Sequence, residues 1–239
     1  CTIYPSTMFR EKMYLYRYHI EPKLYIHPLA KLTTPADVAY NKWREKRLNH
    51  GSCGLGVGAT MIRNETTGYK TYAIDLLSQS ILSEKVKNIY NYYRGQIVLE
   101  NDLDLDYFDQ EFDRELIYFN HYSKELTFHI RSYEFLNEYK NIIFEGSQGV
   151  MLDMNHGIFP NVTYANTTSK NAIEICKILN ISDIEIYYVT RCYQTRHGIG
   201  WMSNHNEVIL QNNENETNVY GEWQKEFKIG EIDYDLLNF

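Results

Sequence analysis

Apolar residues follow helical spacing through the middle of the chain and strand-like runs nearer its C-terminal end. Between residues 82 and 139 they alternate with charged residues at helical intervals, and no proline interrupts them. This pattern predicts two or three helices, with breaks near Gly95 and near residues 102–106.

Residues 35–47 are predicted to form another helix. Thr33 and Thr34 precede it as candidate caps, and Pro35 suits its first turn. Residues 69–77 alternate weakly between polar and apolar side chains, which predicts a short strand.

A strand, loop, helix and strand then follow one another. Residues 141–145 and 184–190 are apolar runs that predict two buried strands, and residues 167–180 predict a helix between them. This spacing is typical of a parallel βαβ unit, so we expect a single-domain α/β fold whose mostly parallel sheet is flanked by helices. Ligands bind at the carboxyl ends of such strands, here residues 146–149 and 191–200.

Composition and net charge argue against some classes of binding partner. The chain has 239 residues, and 44% of them are hydrophobic, which suits one globular domain. Its 24 Lys and Arg against 31 Asp and Glu give a net charge of −7, which argues against a nucleic-acid partner or a membrane surface. A phosphate group can still bind, because that needs only a few local donors.

The four cysteines lie far apart, with no C-x-x-C pair and no zinc-like spacing, so we expect reduced thiols in a cytoplasmic protein. No apolar run approaches the roughly 20 residues of a membrane span. The first residue is Cys1 rather than methionine, and we expect a chain that is incomplete at both ends.

Two polar segments near the predicted strand ends could bind a ligand. Gln148 lies between glycines and offers both a hydrogen-bond donor and an acceptor, although the same loop could be a plain turn. Residues 161–168 carry six hydrogen-bonding side chains before a helix, which favours phosphate over simple capping by Asn166 or Thr167.

Two further segments carry the same kind of chemistry. Residues 190–200 hold two arginines and one histidine, which suit phosphate or carboxylate unless they serve only solubility. Residues 51–58 hold four glycines that could form a backbone nest for phosphate, although the segment is not a Walker A loop. Cys53 could also be interpreted as a nucleophile, but no base stands beside it in the sequence.

The order of these segments resembles one known family. From Phe144 the chain reads F-E-G-S-Q-G-V-M-L-D-M-N-H-G, and then P-N-V-T and N-T-T, which is similar to the adenylosuccinate synthetase signature. Residues 190–200 and 51–58 are similar to two other stretches of that family. The resemblance covers nearly the whole chain and is most specific over residues 141–200.

The resemblance implies a P-loop-NTPase-like α/β fold and a homodimer. Members of the family join IMP and L-aspartate, using GTP as co-substrate and Mg²⁺ as cofactor. GTP phosphorylates the 6-oxygen of IMP, and the aspartate amine then displaces that phosphate. The implied partners are therefore these small molecules, without nucleic acid or membrane.

The family's functional residues transfer to several positions of this chain. Gln148 would be catalytic, hydrogen-bonding the hypoxanthine near its reacting oxygen. Thr163 together with Ser52 and Cys53 would hold the 5′-phosphate of IMP, although Cys53 replaces a family threonine. Arg63 is the nearest candidate for an arginine that reaches the neighbouring subunit's IMP site.

The aspartate and GTP contacts would come from Thr217, Lys225 and Lys228, with lysine where the family has arginine. Lysine supplies charge but not the bidentate fork of arginine, so aspartate recognition departs most from the family pattern.

Several family stretches do not occur in this sequence. The N-terminal G-D-E-G-K-G loop with the catalytic Asp and a magnesium ligand, the G-H-T stretch with the catalytic His, and the K-x-D guanine-binding stretch are all absent. We therefore assign no metal ligand within the chain, expect the Mg²⁺ ligands upstream, and expect the 239 residues alone to be inactive. Two alternatives remain, a related synthetase for a 2-amino purine nucleotide such as dGMP and a non-catalytic purine-nucleotide-binding module.

Overall fold

The computed structural model describes residues 2–48, 51–100, 104–206, 208, 218–223 and 225–238. The strands are β1 (Thr2–Ile3), β2 (Tyr25–Ile26), β3 (Lys31–Leu32), β4 (His129–Ile130), β5 (Tyr193–His197) and β6 (Phe227–Glu231). The α-helices are α1 (Pro5–Tyr16), α2 (Pro35–Leu48), α3 (Val57–Thr66), α4 (Gln79–Leu99), α5 (Leu105–Glu125), α6 (Lys170–Ile178) and α7 (Tyr234–Leu237). Short 3₁₀ helices cover Ala73–Leu77, Tyr133–Glu138 and Val150–Leu152.

Internal contacts divide the chain into two units. Unit 1 comprises Cys1–Lys46 and Leu55–Ile143, and unit 2 comprises Arg47–Gly54 and Phe144–Phe239. The single domain that the sequence predicts stays a prediction, and the two units are described separately below.

Unit 1 is built around an apolar core between helices. One face of α4 is buried because its apolar side chains recur at helical spacing, and α2, α5 and β3 supply the rest. Each fully buried large apolar side chain contributes roughly 1.5–3 kcal/mol to folding. The fully buried large side chains of this core are Leu32, Trp43, Leu82, Ile89, Ile97, Phe108 and Phe119.

The start of α2 agrees with the predicted cap and carries the central ion pair of unit 1. The backbone N–H and the hydroxyl of Thr34 both donate to Asp37 Oδ2 at 2.8 Å. Arg63 on α3 donates from Nε to Asp37 Oδ1 and from Nη2 to Oδ2, each at 2.8 Å. The hydroxyl of Tyr93 on α4 donates to Asp37 Oδ1 at 2.8 Å, so one carboxylate joins three helices.

Arg63 uses its remaining donors inside the same unit. Its Nη1 group donates to Asn64 Oδ1 at 2.7 Å and its Nη2 group to the hydroxyl of Thr71 at 3.0 Å. Burial alone would lower the pKa of Arg63, but the charge and hydrogen bonds of Asp37 outweigh burial and raise it. The guanidinium is therefore a satisfied interior cation.

Tertiary packing overrides two local predictions in unit 1. The predicted break near Gly95 does not occur, because α4 continues to Leu99 with Tyr93 and Ile97 buried on its core face. A glycine inside a helix costs only about 1 kcal/mol, which such packing offsets. The strand predicted at residues 69–77 is wrong as well, since Ala73–Leu77 is a 3₁₀ helix and Tyr72 forms a single antiparallel bridge with Lys31.

The sheets of the described residues are small. β1 pairs with β3 and β2 pairs with β4, both in parallel and over two residues each. In unit 2, β5 and β6 form a five-residue antiparallel ladder, from Tyr193 opposite Glu231 to His197 opposite Phe227.

The two strands predicted for the βαβ unit are not strands in the structure. Residues 141–145 and 184–190 have no ladder partner within the described part of the chain, and the side chains of Ile143 and Val189 are each 93% exposed. A buried strand needs neighbours on both sides, and apolar composition cannot supply them. The helix between these segments does form, as α6, but β5 lies where a ligand loop was predicted.

The sequence contains no apolar run that is long enough for a membrane span, and the helices can be examined for the same property. Within the residues that the structure describes, no helix combines the length and apolar character that a bilayer crossing requires.

We expect Arg63→Leu to destabilise unit 1 strongly. The substitution leaves the Asp37 carboxylate buried without its cation, and breaking a buried ion pair in this way costs about 3–5 kcal/mol. Urea denaturation followed by circular dichroism measures the loss.

Glu65→Gln on the same helix is the matched control. Glu65 also meets a cation, Lys31 Nζ at 2.7 Å, but its side chain is 52% exposed. An exposed pair contributes less than about 1 kcal/mol, so the two variants should differ clearly, and equal losses would contradict the importance of the buried pair.

Candidate functional site

A compact loop in unit 2 is organised around the side chain of Asp153. Asp153 Oδ1 accepts the backbone N–H groups of Asn155 at 2.8 Å and His156 at 3.1 Å, and Oδ2 accepts that of Thr167 at 2.6 Å. The side chain belongs to a residue that is 0% exposed. One carboxylate therefore fastens the beginning of this loop to its end.

The protonation of Asp153 follows from these bonds. Removal from water raises the pKa of a carboxyl group, but the three backbone donors, helped by the nearby His156, outweigh that effect and hold the pKa of Asp153 below its ordinary value. A carboxyl whose pKa is lowered in the folded state stabilises that state at neutral pH, and this contribution is lost as the pH falls through the lowered value.

Backbone hydrogen bonds close the same loop. The N–H of Thr163 donates to the carbonyl oxygen of Leu152 at 2.8 Å, and that of Met154 donates to Ala165 at 3.1 Å. At Gly157 an added Cβ would lie 2.5 Å from the carbonyl oxygen of Asp153, so the chain passes too closely for any other residue. Thr163 thus belongs to a segment held by its backbone as well as by Asp153.

Gln148 occupies an unusual backbone conformation just before this loop. Its φ is 70°, in the left-handed region that residues other than glycine rarely adopt. Its side chain is exposed, and the hydroxyl of Thr167 donates to the carbonyl oxygen of the adjacent Gly149 at 3.1 Å. The Gln148 turn and the loop of Thr163 are therefore joined through Thr167.

Arg196 on β5 holds the other side of the loop and was given no individual role from the sequence. Its Nη2 group donates to the carbonyl oxygens of Asn161 at 3.1 Å and Ile199 at 3.0 Å. Its Nε is buried with no partner among the described residues, and burial lowers the pKa of the guanidinium. In the sequence, this role is indicated by the position of Arg196, which comes shortly before Gly198 and Gly200.

The glycine-rich segment of unit 2 carries Ser52 and Cys53. The hydroxyl of Ser52 accepts the backbone N–H of Gly54 at 3.3 Å, and the thiol of Cys53 is exposed and free. Gly54 has a φ of 67°, and an added Cβ would lie 2.9 Å from the indole ring of Trp223. This contact places the segment against the turn that leads to Lys225.

Lys225 and Lys228 lie on either side of the start of β6. Lys225 pairs with Gly221 through two backbone hydrogen bonds and has a φ of 63°. Lys228 Nζ donates to the carbonyl oxygen of Gly200 at 3.2 Å and lies 3.6 Å from a carboxylate oxygen of Glu226. Thr217, the third predicted residue of this group, lies outside the described residues.

A cavity of about 440 Å³ lies beside Lys228. Its lining combines one ammonium group with a carboxylate, an imidazole, an amide and aromatic rings, so it offers stacking partners to a planar ligand and a single cation to an anionic one. The residues that line it are His205, Asn218, Val219, Tyr220, Glu226, Phe227 and Lys228.

Six of the predicted site residues share unit 2, namely Ser52, Cys53, Gln148, Thr163, Lys225 and Lys228. Arg63 does not, since it is enclosed in unit 1 with a side chain that is 0% exposed. This placement conflicts with the prediction that Arg63 reaches a neighbouring subunit, because its guanidinium is already bound to Asp37. Proximity to the glycine-rich loop in sequence does not distinguish an arginine that reaches a ligand from one that pairs with a buried carboxylate.

The described residues do not fit a metal centre by themselves. No three His, Cys, Asp or Glu side chains in this part of the protein are placed to hold a metal ion together.

Comparisons with known proteins agree on one family. A family model described as adenylosuccinate synthetase matches residues 1–237. The adenylosuccinate synthetase of Crocosphaera subtropica is 32% identical over 185 residues, which are 74% of this chain and 40% of that protein. The one from Gloeothece citriformis is 28% identical over 206 residues, or 82% of this chain and 44% of that protein. The chain thus spans less than half the length of these relatives.

A solved structure supports the fold class. One similar structure is that of fully ligated adenylosuccinate synthetase from Plasmodium falciparum, with a TM-score of 0.65. The superposition covers 99% of this chain and 56% of the Plasmodium chain. Its sequence identity of 20% makes this a likeness of fold alone. The predicted α/β class of that family is thereby confirmed.

We expect Gly157→Ala to disturb the Asp153 loop. The new methyl group would meet the carbonyl oxygens of Asp153 and Met151 at 2.5 and 2.7 Å, and such overpacking costs about 1–3 kcal/mol. The midpoint of thermal unfolding measures the change.

Gly149→Ala provides the comparison, since nothing lies within 4 Å of a Cβ added there and its φ is −94°. Reduced freedom of the unfolded chain should make this variant neutral or more stable, by up to about 1 kcal/mol. A Gly157→Ala protein as stable as Gly149→Ala would show that the loop is not packed as described.

Proposed function

Because the chain belongs to the adenylosuccinate synthetase family, we propose that it forms part of a ligase that joins L-aspartate to IMP at the expense of GTP. The γ-phosphoryl group of GTP passes to the 6-oxygen of IMP. The aspartate amine then forms a bond to C6, and the C–O bond to the phosphorylated oxygen breaks to release phosphate. This chemistry requires fixed hydrogen-bond donors rather than a covalent nucleophile.

The observation that carries this proposal is the conformation of Gln148. A φ of 70° is a sparsely populated conformation for a residue other than glycine, and such conformations are enriched at functional sites. His19, Asn180, Asn204 and Lys225 share it, so it counts here together with the position of Gln148 in the family signature. Hypoxanthine presents an accepting 6-oxygen next to a donating N1–H. A primary amide offers the complementary donor and acceptor, so Gln148 can bind both and stabilise charge that develops on the 6-oxygen.

The phosphate of IMP is assigned to the surroundings of Thr163, Ser52 and Cys53. Thr163 lies on the closed loop, where its backbone N–H donates to the carbonyl oxygen of Leu152. The segment of Ser52 and Cys53 combines a hydroxyl, an exposed thiol and left-handed glycines. Hydroxyl and backbone N–H donors of this kind suit a phosphate dianion in an otherwise acidic protein.

The aspartate and GTP contacts are assigned to Lys225 and Lys228, with Thr217 as the third member. The support is the cavity beside Lys228, where this ammonium group lies 3.6 Å from the carboxylate of Glu226. A carboxylate or phosphate would gain a charge-assisted hydrogen bond there.

The remaining parts of the proposal concern the whole protein. Mg²⁺ and GTP, the homodimer and the cytoplasmic location rest on the family, and no step of the chemistry is assigned to a metal ligand of this chain. The 239 residues alone are expected to have little or no synthetase activity.

We expect Gln148→Ala to lower kcat of the whole protein by about 100-fold or more, because loss of one preorganised donor has an effect of this size. Formation of adenylosuccinate from IMP, L-aspartate and GTP, followed by absorbance, is the measurement. Gln110→Ala, at an exposed position of α5, is the control and should retain wild-type activity.

The same assay separates the proposal from its alternatives. Turnover with dGMP but not with IMP would identify a synthetase for a 2-amino purine nucleotide. Tight binding of IMP by the whole protein without any turnover would indicate a non-catalytic module. A Gln148→Ala protein within threefold of wild type would remove Gln148 from the chemistry.

A further inference from the structure

The carboxylate of Asp153 holds two backbone segments at once. Oδ1 binds the N–H groups of Asn155 and His156, which begin the loop, and Oδ2 binds the N–H of Thr167, which ends it. Thr163 lies between these attachments. Displacing either attachment would therefore displace Thr163 relative to the Gln148 turn.

Asp153 is placed to act through the loop and not on a ligand. The residue is 0% exposed, so no substrate can touch it in this structure. Among the described residues it forms no ion pair with lysine or arginine, and its three partners are all backbone N–H groups. Its charge is therefore matched mainly by the loop backbone, with His156 of the same loop nearby.

The second attachment also reaches the Gln148 turn. Thr167 donates its N–H to Oδ2, and its own hydroxyl donates to the carbonyl oxygen of Gly149 at 3.1 Å. Asp153 thus fixes Thr167, and Thr167 in turn fixes the residue that follows Gln148. The same side chain controls both the segment assigned to phosphate and the turn assigned to the base.

We propose that Asp153 is a positioning residue for the phosphate of IMP, holding Thr163 at the place where the phosphate binds. This inference rests on the proposed function, since it requires IMP as ligand. The carboxylate needs two acceptor oxygens for this role. Asparagine has one acceptor oxygen and an NH₂ group that would face an N–H donor, so Asp153→Asn releases one end of the loop.

The test compares IMP with inosine, which lacks the phosphate. Equilibrium binding of both to the whole protein, at a temperature far below unfolding, gives the preference for IMP in wild type and in Asp153→Asn. We expect the preference to fall by at least about tenfold while inosine affinity changes little, because small misplacement of a binding group has effects of this order. A purely structural defect would weaken both ligands alike or neither.

Asp233→Asn is the matched control. Asp233 likewise accepts two backbone N–H groups, those of Asp235 and Leu236, but it caps α7 rather than the loop of Thr163. The same chemical change there should leave the preference for IMP unaltered.

Each outcome decides one question. Wild-type protein that binds IMP no better than inosine would overturn the phosphate assignment and this inference together. A wild-type preference that persists in Asp153→Asn would overturn the inference alone. If Asp153→Asn is recovered unfolded, Asp153→Glu keeps the charge but shifts the carboxylate by one methylene, and the same comparison then applies to it.

Discussion

The buried carboxylate of Asp37 is the interaction around which unit 1 is arranged. It caps α2 through Thr34, binds the guanidinium of Arg63 on α3 and accepts the hydroxyl of Tyr93 on α4. Three helices are thus fixed at one point in a region from which water is excluded. The surrounding apolar side chains supply most of the favourable free energy, whereas this network determines which helix faces meet.

Unit 2 is also held by a buried carboxylate, that of Asp153, but it buries far fewer apolar side chains. Cys176 and Leu179 are the buried hydrophobic residues of its described part, while long apolar segments such as residues 184–190 are exposed. The fixed geometry of the loop therefore comes from hydrogen bonds to Asp153 and from the close passage of Gly157. A loop held in this way can present backbone and hydroxyl donors without a large core beneath it.

The sequence was most informative where the signal is local. The cap at Thr34 and Pro35 and the order of the signature segments were enough to predict α2 and the family. The strands were harder, because Tyr193–His197 pairs only through a distant segment and residues 184–190 carry a strand-like pattern without a partner. The role of Asp153 could not be predicted for a similar reason. Its partner Thr167 is distant in the sequence, and only the fold brings the two residues together. Arg63 shows the converse error, because a charged residue near a motif can belong to the interior.

The arrangement of β5 and β6 also bears on how the chain reaches its folded state. The hydrogen bonds within each helix join residues close in sequence, so a single helix can form from its own residues. The ladder that joins His197 to Phe227 has no such local beginning and must first close the loop between the two strands. Phe227 and Lys228 of β6 line the cavity described above, so that cavity cannot form before the ladder does.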